Sequence, residues 1–404
     1  MKKLVFIVLI TITNIPLNAQ LSDWEYGGYV KNLAAYIDGT YEGLPADIGK
    51  FKNIFQGRLN LDWYPIYELS FCAQSRHLFT YQKNYYLTTG FFTQLSRSSY
   101  YFDLTWEAIE EKDYTYLSEF DRLNMLWSTG DLEITLGRQR IAWGTCLVWN
   151  PTDLFNAANI LDFDYPERLG TDAVKMQYYI DETSAIEIAF SPGKTAEEVI
   201  YAGRYKTNFW NYDFSLLAGW QLNTLRIGGS WAGDIIGGGF RGELVYSKPD
   251  IKAALPIDPA LAAFSSPGFI PKLIIDNLYW TAALSYDYTF ENSLYLHTEW
   301  LYNELGATEK SGSRRIETLY TGELSSSRYS LFFEIAYDMT PLFRSDIFFI
   351  VNPTDGSWIA APSFTYSVAT NWEIYLLAFP SEGKSGSEFD GFPAQYFLRA
   401  QYSF

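Results

Sequence analysis

The chain ends in Ala394-Gln395-Tyr396-Phe397-Leu398-Arg399-Ala400-Gln401-Tyr402-Ser403-Phe404. Tyr396, Leu398, Ala400, Tyr402 and Phe404 fall on one face of an extended backbone, and Arg399, Gln401 and Ser403 fall on the other. Successive side chains of a strand point to opposite faces, so this order sets one face against an apolar phase and the other against water. An edge strand of a soluble sheet shares the pattern, and the rest of the chain must decide between them.

The alternation recurs. Ile186, Ile188 and Phe190 alternate with Glu187 and Ala189. Tyr329, Leu331, Phe333, Ile335 and Tyr337 alternate with Glu334 and Asp338, and Leu59, Leu61 and Trp63 alternate with Arg58, Asn60 and Asp62. Periodicity alone also fits a soluble sandwich. The connections decide: tight turns at 64–67, 128–131, 181–183, 290–293 and 368–371 alternate with long stretches at 81–118, 145–171, 249–275 and 306–327. Membrane barrels show this asymmetry between short periplasmic turns and long external loops. Aromatics gather beside the tight turns, at Trp63-Tyr64, Trp210 with Tyr212, Tyr288 with Phe290, and Trp372, as an interfacial girdle requires. Past the N-terminal segment no apolar run has helix length, so backbone hydrogen bonds in a bilayer must be met by closing a sheet. The expected architecture is an all-β transmembrane antiparallel barrel of about 18 strands with both termini periplasmic. The count of 18 requires Gln221 to Thr224 to be a short external loop and Gly237-Gly238-Gly239 a bend, and sixteen strands stays open.

The N-terminus reads Met1-Lys2-Lys3, an apolar run from Leu4 to Ile15, then Pro16-Leu17-Asn18-Ala19-Gln20. This basic, apolar, small-residue order is that of a secretory signal peptide, with cleavage expected after Ala19, and it leaves residues 20–404 as a single barrel domain. With Lys2 and Lys3 gone, 28 basic residues face 47 acidic ones, a net charge of −19 that argues against nucleic acid as a partner. Aromatic residues make up 18% of the chain, a load that needs an apolar surface or amphipathic interfaces. Cys72 and Cys146 are too few for a disulfide framework, and whether they pair stays open.

A barrel this wide leaves an aqueous lumen unless something fills it, and strand-like sequence from Trp24 onward leaves no room for a separate N-terminal plug. Constriction is then expected from a loop folded inward, the best candidate being Thr145 to Thr171. Before it, alternation breaks: Leu132, Ile134 and Leu136 share one face that Arg138 and Arg140 would join. Two arginines in hydrocarbon would cost roughly 2 to 4 kcal/mol each near the midplane. A bulge at Gly137 removes that cost, turning Arg138 and Arg140 into the lumen and Ile141 and Trp143 to lipid. Asp153, Asp164, Glu167 and Arg168 would then lie beside Arg138, Arg140 and Lys175, either as a transverse field across a narrow pore or as pairs that hold the loop to the wall. Further lumen-lining candidates are Arg58, Arg76, Arg204, Arg226, Arg241 and Arg399, with Lys206. Glu187, Glu243, Glu299, Glu334 and Asp338 are expected inward too, which leaves selectivity undecided. The apolar segment Ala253 to Ile275 can cap the mouth or pack on neighbouring loops.

The run Gly137-Arg138-Gln139-Arg140-Ile141-Ala142-Trp143-Gly144, with Asn150-Pro151-Thr152-Asp153-Leu154-Phe155-Asn156 and Glu167-Arg168-Leu169-Gly170-Thr171-Asp172-Ala173, resembles a family of outer-membrane barrels distantly similar to alginate-export and substrate-specific porin barrels. The resemblance implies a monomeric barrel with a loop constriction and names no solute. The terminal Phe404 likewise resembles the signal by which barrel-assembly machinery accepts outer-membrane strands. The expected function is a porin-like outer-membrane channel for passive passage of small hydrophilic solutes. The alternative is an export component taking a polymer or lipid from a periplasmic partner, which continuous inward-facing aromatics would favour. No enzyme is expected: the only histidines are His77 and His297, and no serine elbow, metal-spaced ligand set or phosphate loop accompanies them. No cofactor is expected, though an acidic loop keeps a calcium ion open.

Overall fold

Backbone facing hydrocarbon has no water to bond with, and this chain meets that condition by pairing its last strand with its first. The computed structural model describes residues 23–39, 49–84, 100–156, 164–165, 167–250, 277–314, 318 and 322–404. The strands are β1 (Trp24–Asp38), β2 (Phe51–Ile66), β3 (Leu69–Gln82), β4 (Thr105–Glu110), β5 (Tyr114–Thr129), β6 (Leu132–Gln139) and β7 (Thr171–Tyr179). They continue as β8 (Ala185–Ser191), β9 (Ile200–Phe209), β10 (Tyr212–Gln221), β11 (Thr224–Ile235), β12 (Gly238–Pro249), β13 (Tyr279–Thr289) and β14 (Leu294–Asn303). The last are β15 (Tyr329–Thr340), β16 (Phe343–Val351), β17 (Trp358–Ala369), β18 (Trp372–Phe379), β19 (Ser381–Glu382) and β20 (Ala394–Ser403).

Every pairing between these strands is antiparallel, and β1 closes on β20 from Tyr29 opposite Ser403 to Asp38 opposite Ala394. Two strands stand outside the ring: β4 adds to the edge of β5, and the two-residue β19 adds to β17. The remaining eighteen form the closed wall. This is the expected count.

The start of β1 and the end of β20 lie at the end where the connections are tight. There Trp210-Asn211 and Ile236-Gly237 turn with positive φ at both residues, which matches the right-handed twist of a two-residue hairpin. At the opposite end Leu222-Asn223 does the same, so the short external loop expected between Gln221 and Thr224 is present. The stretch from Tyr81 to Ser118, read from the sequence as one loop, contains β4 and the start of β5.

The faces follow the period of two. On β8, Ile186, Ile188 and Phe190 are 42, 50 and 46% exposed while Glu187 is 3% exposed. Large apolar side chains are thus on the outside and the carboxylate is within, the inverse of a soluble barrel. Aromatics ring both ends of this apolar belt. Trp24 stacks on Trp63 at 5.1 Å and Trp63 on Phe71 at 5.2 Å at the tight-turn end; Tyr81 meets Tyr114 at 5.0 Å and Tyr246 meets Trp280 at 4.5 Å at the other. Rings with an apolar body and a polar edge are placed this way at membrane interfaces. The apolar exterior makes the fold a membrane-spanning barrel of the outer-membrane type.

The bulge expected at Gly137 is corrected: β6 pairs through it in unbroken register, Gly137 opposite Asn124 and Ala173, and the glycine's own backbone conformation takes the place of an inserted residue. The φ of Gly137 is +110°, and a Cβ there would sit 2.3 Å from the carbonyl oxygen of Leu123. Leu136 before it faces out and Arg138 after it is buried within, as the break in alternation requires. The expectation for Ile141 and Trp143 is corrected: both are 1% exposed and lie inside the barrel, not on the lipid face. The strand stops at Gln139, and the chain leaves the wall and enters the bore.

Candidate functional site

The segment that follows β6 is held by carboxylates reaching in from the wall. Trp143 donates its indole N–H to Glu187 Oε2 on β8 at 2.8 Å. Glu243 on β12 accepts the backbone N–H groups of Thr145 (2.5 Å), Cys146 (2.8 Å) and Thr152 (2.9 Å), and the Thr152 hydroxyl at 2.6 Å. Glu299 on β14 accepts those of Leu147 (3.1 Å), Val148 (3.2 Å) and Trp149 (2.5 Å). The segment thus passes from β8 to β12 to β14 and turns back at Asn150-Pro151, where Asp153 N–H bonds the Asn150 carbonyl at 3.0 Å. Gly144 admits this fold because any Cβ would lie 2.1 Å from Asn150 Oδ1. Non-helical backbone inside a membrane protein is tolerated where its donors are met in this way, and hydrogen bonds to an ionised acceptor are about twice as strong as neutral ones.

Apolar packing completes the anchorage. Cys146, Val148 and Trp149 join Ala283, Leu301, Phe332 and Ile350 of the inner wall in one cluster. Ile141, Trp143, Leu154 and Phe155 pack on Ala173, Ala189, Ala202 and Leu217 in another. The small residues of β7, β8 and β9 leave the space that Trp143 and Phe155 fill, ring edge to face at 5.4 Å.

The returning part of the segment is fixed to the opposite wall. Asp164 pairs with Lys31 of β1 at 3.0 Å and with Arg399 of β20 at 3.6 Å. Tyr165 donates to Asp121 of β5 at 2.5 Å, and the Arg76 guanidinium lies 3.9 Å from its ring centre. Glu167 stands 3.7 Å from Arg58 of β2 and accepts from Tyr29 at 3.4 Å. Residues 141–152 and 164–167, as far as they are described, therefore hold to opposite sides of the barrel.

The charged residues singled out from the sequence divide accordingly. Arg138 is 1% exposed; it pairs with Asp172 at 2.8 Å, donates to the carbonyls of Phe120 and Phe102, and covers the Tyr100 ring at 3.9 Å. It is locked in the wall, where it ties residues 100–102 over the end of β6. Among the lumen-lining candidates, Arg58 pairs with Asp121 at 2.6 Å, Arg204 with Glu187 at 2.7 Å, Arg226 with Glu323 at 3.6 Å and Arg399 with Glu373 at 2.8 Å. Arg76 pairs with Glu119 and Arg241 with Asp287. Lys206 adds to Glu187 at 3.5 Å, and the charge of Lys175 acts on the same carboxylate.

Arg140 and Arg168 differ. Arg140 is exposed, Arg168 is half-buried, and neither makes an ion pair among the described residues. Arg168 is held at φ +57° by the buried Arg122, which takes its carbonyl at 2.8 Å. Burial first, then the nearby Arg140, lower the pKa of Arg168, while Asp153 opposes them. Asp153 is buried with Oδ1 unpartnered, and burial pushes its carboxyl up to about 7 against backbone donation from Trp143 and Asn156 and the charge of Arg140. The geometry brings Arg140, Asp153 and Arg168 together and distributes Arg138, Asp164 and Glu167 to the walls.

The anchoring role of Glu187, Glu243 and Glu299 is what sequence reasoning missed. Alternation placed all three inward, but nothing local says which backbone they would meet. Cys72 and Cys146 are free thiols, and burial followed by the charges of Glu243 and Glu299 pushes the Cys146 thiol up. The segment 253–275 lies outside the described residues, as do residues 1–19. Among the described residues no group of three or more His, Cys, Asp or Glu could hold a metal ion.

The chain matches no family model and no curated protein. Among solved structures it is similar to OpdK of Pseudomonas aeruginosa, determined with vanillate, at 11% identity and a TM-score of 0.56, over 95% of this chain and 98% of that one. It is also similar to OccAB2 of Acinetobacter baumannii, at 10% identity and a TM-score of 0.54, over 94% of this chain and 98% of that one. At these identities the likeness is one of fold, a closed outer-membrane-type barrel along nearly the whole chain.

Proposed function

We propose that this chain is an outer-membrane channel for passive passage of small hydrophilic solutes, narrowed by residues 140–168. The observation that carries the reading is a charged, hydrogen-bonded interior inside an apolar exterior, crossed by a segment that is bonded to both walls. The fold shared with OpdK and OccAB2 supports it. In this reading residues 1–19 are the cleaved signal, the tight-turn end faces the periplasm, and the barrel works as a monomer recognised for insertion through the strand ending at Phe404. Arg140 and Arg168 meet the solute with Asp153 behind them; Arg138, Asp164 and Glu167 hold the segment in place, and Lys175 tunes the charge at Glu187. The inward aromatics Phe332, Phe348, Phe379 and Phe397 pack into a core with Trp149, so they support a filled wall rather than a track for a polymer. His297 lies between carboxylates with no nucleophile of the elbow type, and we read the chain as no enzyme.

The test is single-channel conductance of the refolded protein in planar bilayers, with reversal potentials in a salt gradient and sugars and organic acids as blockers. Discrete open-channel steps are expected. A folded barrel that passes no current would overturn the reading in favour of a plugged export component.

A further inference from the structure

Glu299, which holds the inward segment, is also one end of a row of titratable groups. Its Oε2, the acceptor for Leu147 and Val148, lies 3.5 Å from Nε2 of His297 on the same inner face of β14. That nitrogen is also 3.0 Å from Ser285 Oγ on β13, and Nδ1 is 3.3 Å from Glu334 Oε2 on β15. The rings of Tyr295 and Phe332 close the surroundings at 6.2 and 5.0 Å. Glu334 shares a hydrogen bond with Asp346 on β16, Asp346 stands 3.7 Å from Arg344, and Arg344 is 3.2 Å from Asp338. Tyr295, Asp338 and Arg344 line a cavity of about 240 Å³ at the tight-turn end. The other charges nearby, Asp287 on β13 and Arg241 on β12, pair with each other.

The row can hold protons at His297 and between Glu334 and Asp346. The neutral imidazole can accept the Ser285 hydroxyl at Nε2 and donate from Nδ1 to Glu334, and the cation adds a positive charge 3.5 Å from Glu299. Arg344 is the one fixed positive charge in the row, set against Glu299, Glu334, Asp346 and Asp338. Loss of the His297 proton removes the positive charge beside Glu299 and leaves its carboxylate facing Glu334 across a neutral ring. Its three backbone donors then compete with that repulsion.

We propose that protons exchanged through the tight-turn cavity set how firmly Glu299 holds residues 147–149, so that the channel widens as the compartment at that end becomes alkaline. The inference rests on the channel reading, and its test carries a readout that does not. Cys146 lies between the Glu243 and Glu299 anchors and is buried, so its thiol reports release of the segment. In a Cys72→Ser background the rate of Cys146 labelling by a water-soluble maleimide, divided by that of a free thiol at the same pH, is expected to rise between about pH 5 and about pH 9, a span that brackets histidine. His297→Gln is expected to label at the fast rate throughout, and Glu334→Gln to move the rise to lower pH. In bilayers, conductance is expected to rise when the tight-turn side alone is made alkaline and to lose that dependence in His297→Gln. A flat labelling ratio in the unmodified histidine protein overturns the proposal without any variant having to fold. Absence of current with a rising ratio overturns the channel reading and supports proton control of the segment.

Discussion

Glu299 accepts the backbone N–H of Trp149 at 2.5 Å across a separation of 150 residues, from a strand that lies nearly opposite β6 in the wall. Bonds from a side chain to the main chain fix the path of the segment whatever side chains it carries. Eighteen strands enclose more space than their own side chains fill, so the bore is shaped by where this segment is tied.

Glu243→Ala removes the acceptor of three backbone N–H groups and two hydroxyls. Buried donors left without a partner cost about 1 to 3 kcal/mol each, an upper bound here because water can enter. We expect larger conductance, noisier gating and faster Cys146 labelling, with the barrel still folded. Conductance and labelling equal to the parent would show that Glu243 does not anchor the segment.

Asp153 gives a pH dependence of opposite sense to that of an ordinary surface carboxylate. Its folded pKa of about 7 lies above the reference 3.8, so the folded state binds its proton more tightly than the unfolded one. The stabilisation is full below the reference value and is lost as pH rises through about 7. Asp153→Asn is expected to raise the unfolding temperature more at about pH 8 than at about pH 5. Equal shifts at the two pH values would rule out Asp153 as the source.

Arg138 and Arg140, two residues apart, separate structural from pore-facing charge. Arg138→Ala leaves Asp172 buried without its partner, a loss of about 3 to 5 kcal/mol, and is expected to lower the unfolding temperature. Arg140→Ala has no ion pair among the described residues to break and is expected to leave stability within about 0.5 kcal/mol while shifting the reversal potential toward cation preference. Exchange of these two phenotypes would overturn the assignment.

Ile188→Arg tests the outer face. Arginine near the midplane costs about 2 to 4 kcal/mol, and a matched drop in folding free energy in lipid vesicles is expected. No drop would mean that β8 does not face hydrocarbon.

Much of the barrel was legible because its signals are local. The alternation of Tyr396 to Phe404 assigns inner and outer faces from neighbours alone, and it holds on β8 and β15 as it does on β20. The cost of Arg138 in hydrocarbon made its inward placement readable, while the bulge that was to turn it is absent, the pairing through Gly137 being unbroken. Ile141 and Trp143 were misread for a related reason. An apolar side chain facing lipid and one packed against Ala173, Ala189 and Ala202 inside the bore leave the same mark in the chain, and only the end of β6 at Gln139 distinguishes them.

The sequence by itself determined the class of fold, a count of about 18 strands with sixteen left open, the two faces of the regularly alternating strands and which segment enters the bore. Those follow from a period of two, turn chemistry and the cost of charge in hydrocarbon, all of which act within a few residues. The tertiary structure alone decided that Glu187, Glu243 and Glu299 hold the segment, that Arg138 is sealed in the wall and that Arg140 and Arg168 are without an ion pair among the described residues. Those depend on which strands closure brings opposite one another, and a contact between residues 150 positions apart leaves no periodicity to read.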